Sequence, residues 1–145
     1  MKGIIVHCGQ YGSTEQYAKW ISEESKLQAF SVKDIKSKDL PNYDFFILGT
    51  SVIAYKFLIA KWIIKNWHIL KNKKIFLYVV SGTQPEEISL FNKYKNNSFN
   101  KEIQENIKFY YFGGRQIFKK LPFFIRTQLP PIILIFFLIT TLFLK

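Results

Sequence analysis

The hydrophobic residues of this chain gather in five short runs that are separated by polar or amphipathic stretches. The runs are Gly3–Cys8, residues 29–32, residues 45–49, Lys74–Ser81 and Ile107–Gly113, and each is nearly continuous in apolar residues rather than alternating. Strands with this pattern are buried on both faces, as in a parallel sheet that helices cover. The alternation of such runs with segments of helical length predicts a doubly wound α/β fold.

The stretch between the first two runs carries the signals of a helix start. We predict a helix from Ser13 or Thr14 to about Ser25. Within it, Ser13 and Gln16 match a capping box, which would satisfy free amides of the first turn. The residues expected to face the sheet are Tyr17, Ala18, Trp20 and Ile21.

The later connections differ from one another in polarity. Residues 34–43 are polar and include Pro41, which predicts a short helix or a loop. Residues 57–70 predict one amphipathic helix with a broad apolar face. After Pro85, a segment rich in Lys and Asn continues to about Asn106 and precedes the last run.

The C-terminal part of the chain is different in kind. Residues 129–144 are apolar except for two prolines and two threonines, so a helix here would be hydrophobic on every side. A bilayer span needs about 20 apolar residues, and this tract is shorter than that. The sequence therefore divides into one folded domain, residues 1–128, and a segment of residues 129–145. That segment is either the last helix of the fold or a membrane-associating tail.

Composition limits the chemistry that the chain can perform. A length of 145 residues fits one domain with a single core. Cys8 is the single cysteine and only two histidines accompany it, so we expect neither an internal disulfide nor a metal cluster. The apolar residues 4–6 at the N-terminus are few and are followed by His7 rather than by a cleavage-site pattern, which predicts no secretory signal and a cytoplasmic location.

The chain is strongly basic. Lys and Arg outnumber Asp and Glu by 21 to 10, which gives a formal net charge of +11. A field of this sign attracts acidic proteins, nucleic acid or anionic lipid. Nucleic acid is the least favoured of these, because the basic residues are dispersed and no recognition motif accompanies them. Arg115, Lys119, Lys120 and Arg126 precede the apolar tract, where each would add about 1 kcal/mol of attraction to an anionic membrane surface.

The turn Gly9-Gln10-Tyr11-Gly12-Ser13-Thr14 is the most informative stretch for function. Gly12 would let backbone amides approach an anion. Ser13 and Thr14 would add hydroxyl donors at a helix N-terminus, whose free amides and dipole favour negative charge. These residues fit a phosphate-binding loop, and they fit an ordinary tight turn before a capped helix equally well. The Walker and dinucleotide glycine patterns are absent, and the acidic residues of a phosphorelay receiver are absent too.

This loop resembles the phosphate loop of flavodoxins, which follows the first strand of that fold. Gly12 and Thr14 match the family pattern, and Ser13 is an acceptable donor. Gly9 and Tyr11 stand where hydroxyl-bearing or small polar residues are usual. The resemblance implies that the phosphate of flavin mononucleotide (FMN) is bound by Gln10, Tyr11, Gly12, Ser13 and Thr14.

Two later stretches extend the resemblance. Residues 47–55, Ile-Leu-Gly-Thr-Ser-Val-Ile-Ala-Tyr, are similar to the strand and loop on one side of the flavin ring in this family. Ser81-Gly82-Thr83-Gln84 corresponds to the loop on the other side, although a simple strand-to-helix turn also fits it. The ring contacts that the resemblance implies are Thr50, Ser51, Val52, Ile53, Ala54, Tyr55, Ser81, Gly82, Thr83 and Gln84.

The resemblance implies a five-stranded parallel sheet of order 2-1-3-4-5 and an FMN-dependent role in electron transfer. It is nearest to the flavodoxin-like, quinone-dependent protoporphyrinogen oxidases, to which residues 47–55 and the basic stretch from Phe112-Gly113-Gly114-Arg115 onward are similar. Ordinary flavodoxins are acidic and dock on basic partners. The basic charge and apolar tail of this chain instead favour an oxidase at the cytoplasmic face of the membrane, with a quinone or a redox protein as its partner.

A flavin-free interaction module of the same fold is the alternative to an oxidoreductase. No catalytic side chain is expected in the flavoprotein, because the cofactor itself carries the chemistry. For Cys8 we expect a packing role at the end of the first strand rather than a redox role, because no second cysteine is present to resolve it.

Overall fold

Five parallel strands form the centre of the fold in the computed structural model, which describes residues 1–10, 12–82 and 87–113. The strands are β1 (Gly3–Cys8), β2 (Ala29–Ser31), β3 (Phe45–Ile53), β4 (Lys56–Phe57), β5 (Lys74–Ser81) and β6 (Ile107–Gly113), of which β4 is antiparallel to β3. The helices are α1 (Ser13–Ser25), α2 (Ala60–Lys65), α3 (Trp67–Leu70), α4 (Ile88–Ser98) and α5 (Lys101–Asn106), with a 3-10 helix over Ser37–Asn42.

The parallel strands lie in the order β2-β1-β3-β5-β6. This confirms the predicted flavodoxin-like order 2-1-3-4-5, because β4 is a two-residue strand beside β3 that shifts only the numbering. The hydrophobic pattern predicts that the third strand ends at Gly49, whereas β3 continues to Ile53. Thr50 and Ser51 interrupted the apolar run, yet both still pair with β5 or β1 through the backbone.

Helices cover both faces of the sheet. On one face α1 contributes Tyr17, Ala18 and Ile21 to a buried cluster, and Trp20 packs at its edge, as the sequence predicted. On the other face, the larger cluster contains residues from the 3-10 helix and from the helices α2, α3, α4 and α5. Leu48 and Leu77 are fully buried between these layers, which explains the continuous apolar runs of β3 and β5.

The single helix predicted over residues 57–70 is wrong in two respects. Phe57 belongs to β4, and the helix is divided into α2 and α3 at Asn66. The Asn66 side chain bonds back to Trp62 O at 2.8 Å and accepts from Ser37 Oγ at 2.7 Å. These local bonds compete with continuation of the helix, which is why asparagine often stands at such breaks.

The start of α1 also differs from the prediction. α1 spans Ser13–Ser25 as expected, but its N-cap is Gly12, which has no side chain to cap the first turn. The predicted capping box of Ser13 and Gln16 is therefore wrong, because Ser13 is already inside the helix. A glycine N-cap leaves the first-turn amides free of side-chain partners from the cap.

Gly49 in the middle of β3 makes room for a side chain of the neighbouring strand. A Cβ added at Gly49 would overlap the ring of Tyr78, which is 1% exposed and lies on β5. We predict that Gly49→Ala lowers the free energy of unfolding by about 1–3 kcal/mol through overpacking, as measured by urea denaturation.

The matched control for this substitution is Gly82→Ala. A Cβ at Gly82 meets no atom within 4 Å, so its effect on the unfolding midpoint should be small. Equal midpoints for the two variants would contradict a steric role for Gly49.

Candidate functional site

Three parallel strands end at one edge of the sheet and bring the predicted site segments together there. Cys8 at the end of β1 pairs with Thr50 of β3, and Ser51 pairs with Val80 of β5. The loop after β1, the end of β3 and the end of β5 at Ser81 consequently share this edge. β2 and β3 lie on opposite sides of β1, so the loop after β1 stands at the topological switch point.

The start of α1 presents backbone donors at this edge. Its N-cap, Gly12, has a φ of 87°, and a Cβ there would meet nothing within 4 Å, so glycine is favoured for its conformation rather than for space. The first helical hydrogen bond runs from Gln16 N to Gly12 O at 3.0 Å. The N–H groups of Ser13, Thr14 and Glu15 precede that bond and so have no partner within the helix, which makes this an electropositive helix end.

The loop closes tightly between Gly9 and Thr14. A Cβ added to Gly9 would lie 2.6 Å from both Cβ and Oγ1 of Thr14, too close for a real contact. Thr14 is 2% exposed and fills the space that a side chain at residue 9 would need. The lack of a hydroxyl at Gly9 therefore follows from how this loop packs on itself.

Tyr78 connects the sheet to this loop. Its hydroxyl donates a 2.9 Å hydrogen bond to the backbone oxygen of Thr14. Burial raises the pKa of Tyr78 far above its usual value, so the hydroxyl remains protonated and available as a donor. Sequence reasoning missed this residue. The one signal for it is a hydroxyl in the middle of the otherwise apolar strand β5.

The hydroxyls of Thr50 and Ser51 are used differently. Thr50 Oγ1 donates to Ser51 O at 2.8 Å and accepts from Ile59 N at 3.1 Å, so it stabilises the chain reversal after β3. Ser51 Oγ is buried and has no hydrogen-bond partner within the described part of the chain. A buried hydroxyl without a partner is costly, and a polar ligand at this edge would provide one.

Ala54 and Tyr55 form the two-residue turn between β3 and β4. Both have positive φ, 50° and 60°, a conformation for which Asn-Gly is the favoured pair. Two contacts from α4 hold the turn: Asn97 Nδ2 donates to Tyr55 O at 3.1 Å, and Lys93 Nζ lies 4.3 Å from the centre of the Tyr55 ring. Tyr55 is thereby fixed in place although its side chain is largely exposed.

The other predicted ring contacts fall into two groups. Val52 packs against the core and Ile53 is exposed, while Ser81 is partly buried and Gly82 exposed at the end of β5. The predicted site residues that lie outside the described part of the structure are Tyr11, Thr83 and Gln84.

A cavity of about 250 Å³ lies beside the loop on the side of β2. Its lining consists of His7, Cys8, Gly9, Gln10, Gly12, Glu15, Ser31, Val32 and Lys33. Burial lowers the pKa of His7 and raises the pKa of Cys8, so a neutral imidazole and a protonated thiol are favoured. A raised pKa leaves little nucleophilic thiolate, and Cys8 packs against the larger core cluster.

The predicted membrane association rests on residues outside the described part of the structure. Among residues 1–10, 12–82 and 87–113, no helix combines the length and apolar character of a bilayer span. The apolar tract at residues 129–144 and the basic residues before it lie outside these ranges.

The doubly wound sheet of this strand order, with a glycine-capped helix start at its switch point, defines the flavodoxin-like class of α/β proteins. The chain belongs to the flavodoxin domain family, whose model matches residues 4–134. No curated protein sequence matches the chain significantly.

Solved structures share this fold at low sequence identity. An NADPH-quinone reductase from P. pentosaceus is 14% identical, with a TM-score of 0.61 over 92% of this chain and 94% of that chain. A flavodoxin from the domain Archaea is 17% identical, with a TM-score of 0.52 over 79% of this chain and 85% of that chain. Flavodoxin 1 from Bacillus cereus is 14% identical, with a TM-score of 0.50 over 79% of this chain and 87% of that chain. Likeness at these identities shows the fold alone.

We predict that Ala54→Gly stabilises the protein. The left-handed conformation costs a non-glycine residue about 1–2 kcal/mol, and glycine removes that cost while adding some chain entropy to the unfolded state. The net gain should be about 0.5–1 kcal/mol, seen as a higher urea midpoint.

Ala18→Gly, in the interior of α1, is the matched control and should lose about 1 kcal/mol. If Ala54→Gly lowered the midpoint as Ala18→Gly does, the turn would not be strained at residue 54.

Proposed function

We propose that this protein is an FMN-binding flavoprotein that functions in electron transfer or oxidoreduction. The proposal is carried by one observation: in a chain of the flavodoxin domain family, the loop after β1 and the ends of β3 and β5 meet at one edge of the sheet. Ligands of open α/β sheets bind at this edge.

The residues at this edge fit the groups of FMN. The first-turn amides of Ser13, Thr14 and Glu15 suit a phosphate, because they are free of helical partners and lie at the positive end of the helix dipole. The open space around Gly12 allows a close approach to the backbone. Ser51 Oγ is a buried hydroxyl that a ligand could satisfy.

In this proposal the loop of residues 10–14 holds the phosphate, and residues 50–55 and 81–84 flank the isoalloxazine ring. When bound, the flavin supplies reversible one- and two-electron oxidation and reduction. The protein binds and orients it, and its backbone near the ring sets the electrostatic surroundings. No side-chain acid or base is assigned a role.

At a finer level we propose a relative of the quinone-dependent protoporphyrinogen oxidases. The support is the similarity of residues 47–55 and of the stretch from Phe112 onward, together with the basic charge of the chain. An acidic redox protein or an anionic membrane surface would suit that charge, and a quinone is the electron acceptor that the similarity implies. One structural neighbour is an NADPH-quinone reductase. Its likeness to this chain is one of fold, so its activity is not carried over.

Uptake of FMN tests the proposal directly. Full-length protein mixed with FMN should quench flavin fluorescence and bind with a measurable Kd. We predict that Gly12→Asp weakens FMN binding by about tenfold to a hundredfold, because a carboxylate would stand beside the phosphate.

Gly12→Asn is the matched control for this substitution. Asparagine has nearly the same shape as aspartate and tolerates positive φ, so it isolates the effect of charge and should retain most of the affinity. Riboflavin, which has no phosphate, should bind the Asp and Asn variants equally. A well-folded protein that takes up no FMN would refute the assignment and favour the flavin-free interaction module.

The oxidase assignment has its own test. FMN-loaded full-length protein given protoporphyrinogen and a soluble quinone should produce fluorescent protoporphyrin at a rate that depends on the quinone. Protein that binds FMN but shows no quinone-dependent oxidation would leave electron transfer between proteins as the function. Carbonate-resistant membrane association of the full chain, lost on deletion from Leu129, is expected for the membrane-associated form.

A further inference from the structure

Tyr78 is an unusual residue for the middle of a buried strand. Its side chain crosses the position of Gly49 on β3 and reaches the first turn of α1, where the hydroxyl bonds to Thr14 O at 2.9 Å. Its ring stacks on Phe112, with centroids 5.5 Å apart and planes 19° from parallel. The ring of Tyr17 of α1 packs against the same ring at a tilted angle, with the two centroids 6.3 Å apart. The ring is thus held by Gly49, Phe112 and Tyr17, in addition to the hydrogen bond of its hydroxyl.

The bond to Thr14 O acts on an amide that faces the candidate ligand. The carbonyl of Thr14 and the N–H of Glu15 belong to one planar peptide unit, in which they point in opposite directions. A donor that fixes the carbonyl therefore fixes the direction of the Glu15 N–H. That N–H is one of the three amides that precede the first helical bond of α1.

Thr14 also transmits this restraint to the other end of the loop. Its side chain occupies the space beside Gly9, 2.6 Å from where a Cβ would stand. Both ends of the loop are consequently held by a residue whose backbone is bonded to Tyr78. A rigid donor set is what an anion site needs, because donors that are already oriented lose little entropy on binding.

We propose that Tyr78 is a positioning residue for phosphate recognition: its hydroxyl orients the first turn of α1 so that the free amides are preset for the phosphate of the cofactor. The inference rests on the proposed function and adds to it a specific determinant of phosphate affinity. Gly49 is the counterpart of Tyr78, because a Cβ at position 49 would overlap the tyrosine ring.

The test compares FMN with riboflavin, two ligands that differ by the phosphate. Tyr78→Phe removes the hydroxyl and keeps the ring that fills the space over Gly49. We expect its Kd for FMN to rise about five- to tenfold, while its Kd for riboflavin stays within about twofold of wild type. Binding is measured by flavin fluorescence quenching, and near-ultraviolet circular dichroism verifies that the core is intact.

Tyr110→Phe is the matched control. Tyr110 pairs with Tyr78 in the strand register and packs against the same cluster, but it is on β6, one strand further from the loop. It should leave both affinities unchanged.

Two results would overturn the inference alone. Equal weakening of FMN and riboflavin in Tyr78→Phe would show a general structural role, and unchanged affinity for both would show no role. If wild-type protein bound neither flavin, the proposed function would fail, and the inference with it.

Discussion

The hydrogen bond from the Tyr78 hydroxyl to the Thr14 carbonyl joins the centre of the sheet to the first turn of α1. Residues of three strands support it: Tyr78 supplies the donor from β5, Gly49 of β3 leaves the space, and Phe112 of β6 stacks on the ring. Thr14 then closes the loop against Gly9. The candidate phosphate loop is therefore shaped from the core outward, and its free amides owe their placement to buried, uncharged groups.

Much of the fold could be predicted from the sequence because its strands are buried on both faces. Continuous apolar runs such as Lys74–Ser81 predict central strands of a parallel sheet, and their alternation with helices indicates the doubly wound α/β fold class. Features that depend on one or two residues escaped this reasoning. β4 is too short to produce a period, and the break at Asn66 depends on side-chain bonds to Ser37 and Trp62.

In the candidate site, too, local features could be predicted from the sequence and long-range contacts could not. The loop between β1 and α1 is a local motif, so its letters and spacing were sufficient to single it out. The contact of Tyr78 with Thr14 spans 64 positions, and the hold of Asn97 on Tyr55 spans 42. Such pairs depend on strand register and helix placement, which local patterns of apolar and polar residues do not reveal. The buried, unpartnered Ser51 hydroxyl is likewise visible only once its neighbours are in place.

The Ala54–Tyr55 turn has a mechanical consequence for the rim of the sheet. Its backbone is unfavourable on its own, and its conformation is maintained by pairing with β4 and by the bond from Asn97 of α4. Phe57, the last residue of the hairpin, is tied to the same helix, since its N–H donates to Ser98 Oγ at 2.9 Å. Two hydrogen bonds therefore couple the hairpin to α4, and a shift of the helix would be transmitted through them to the exposed tyrosine in the turn.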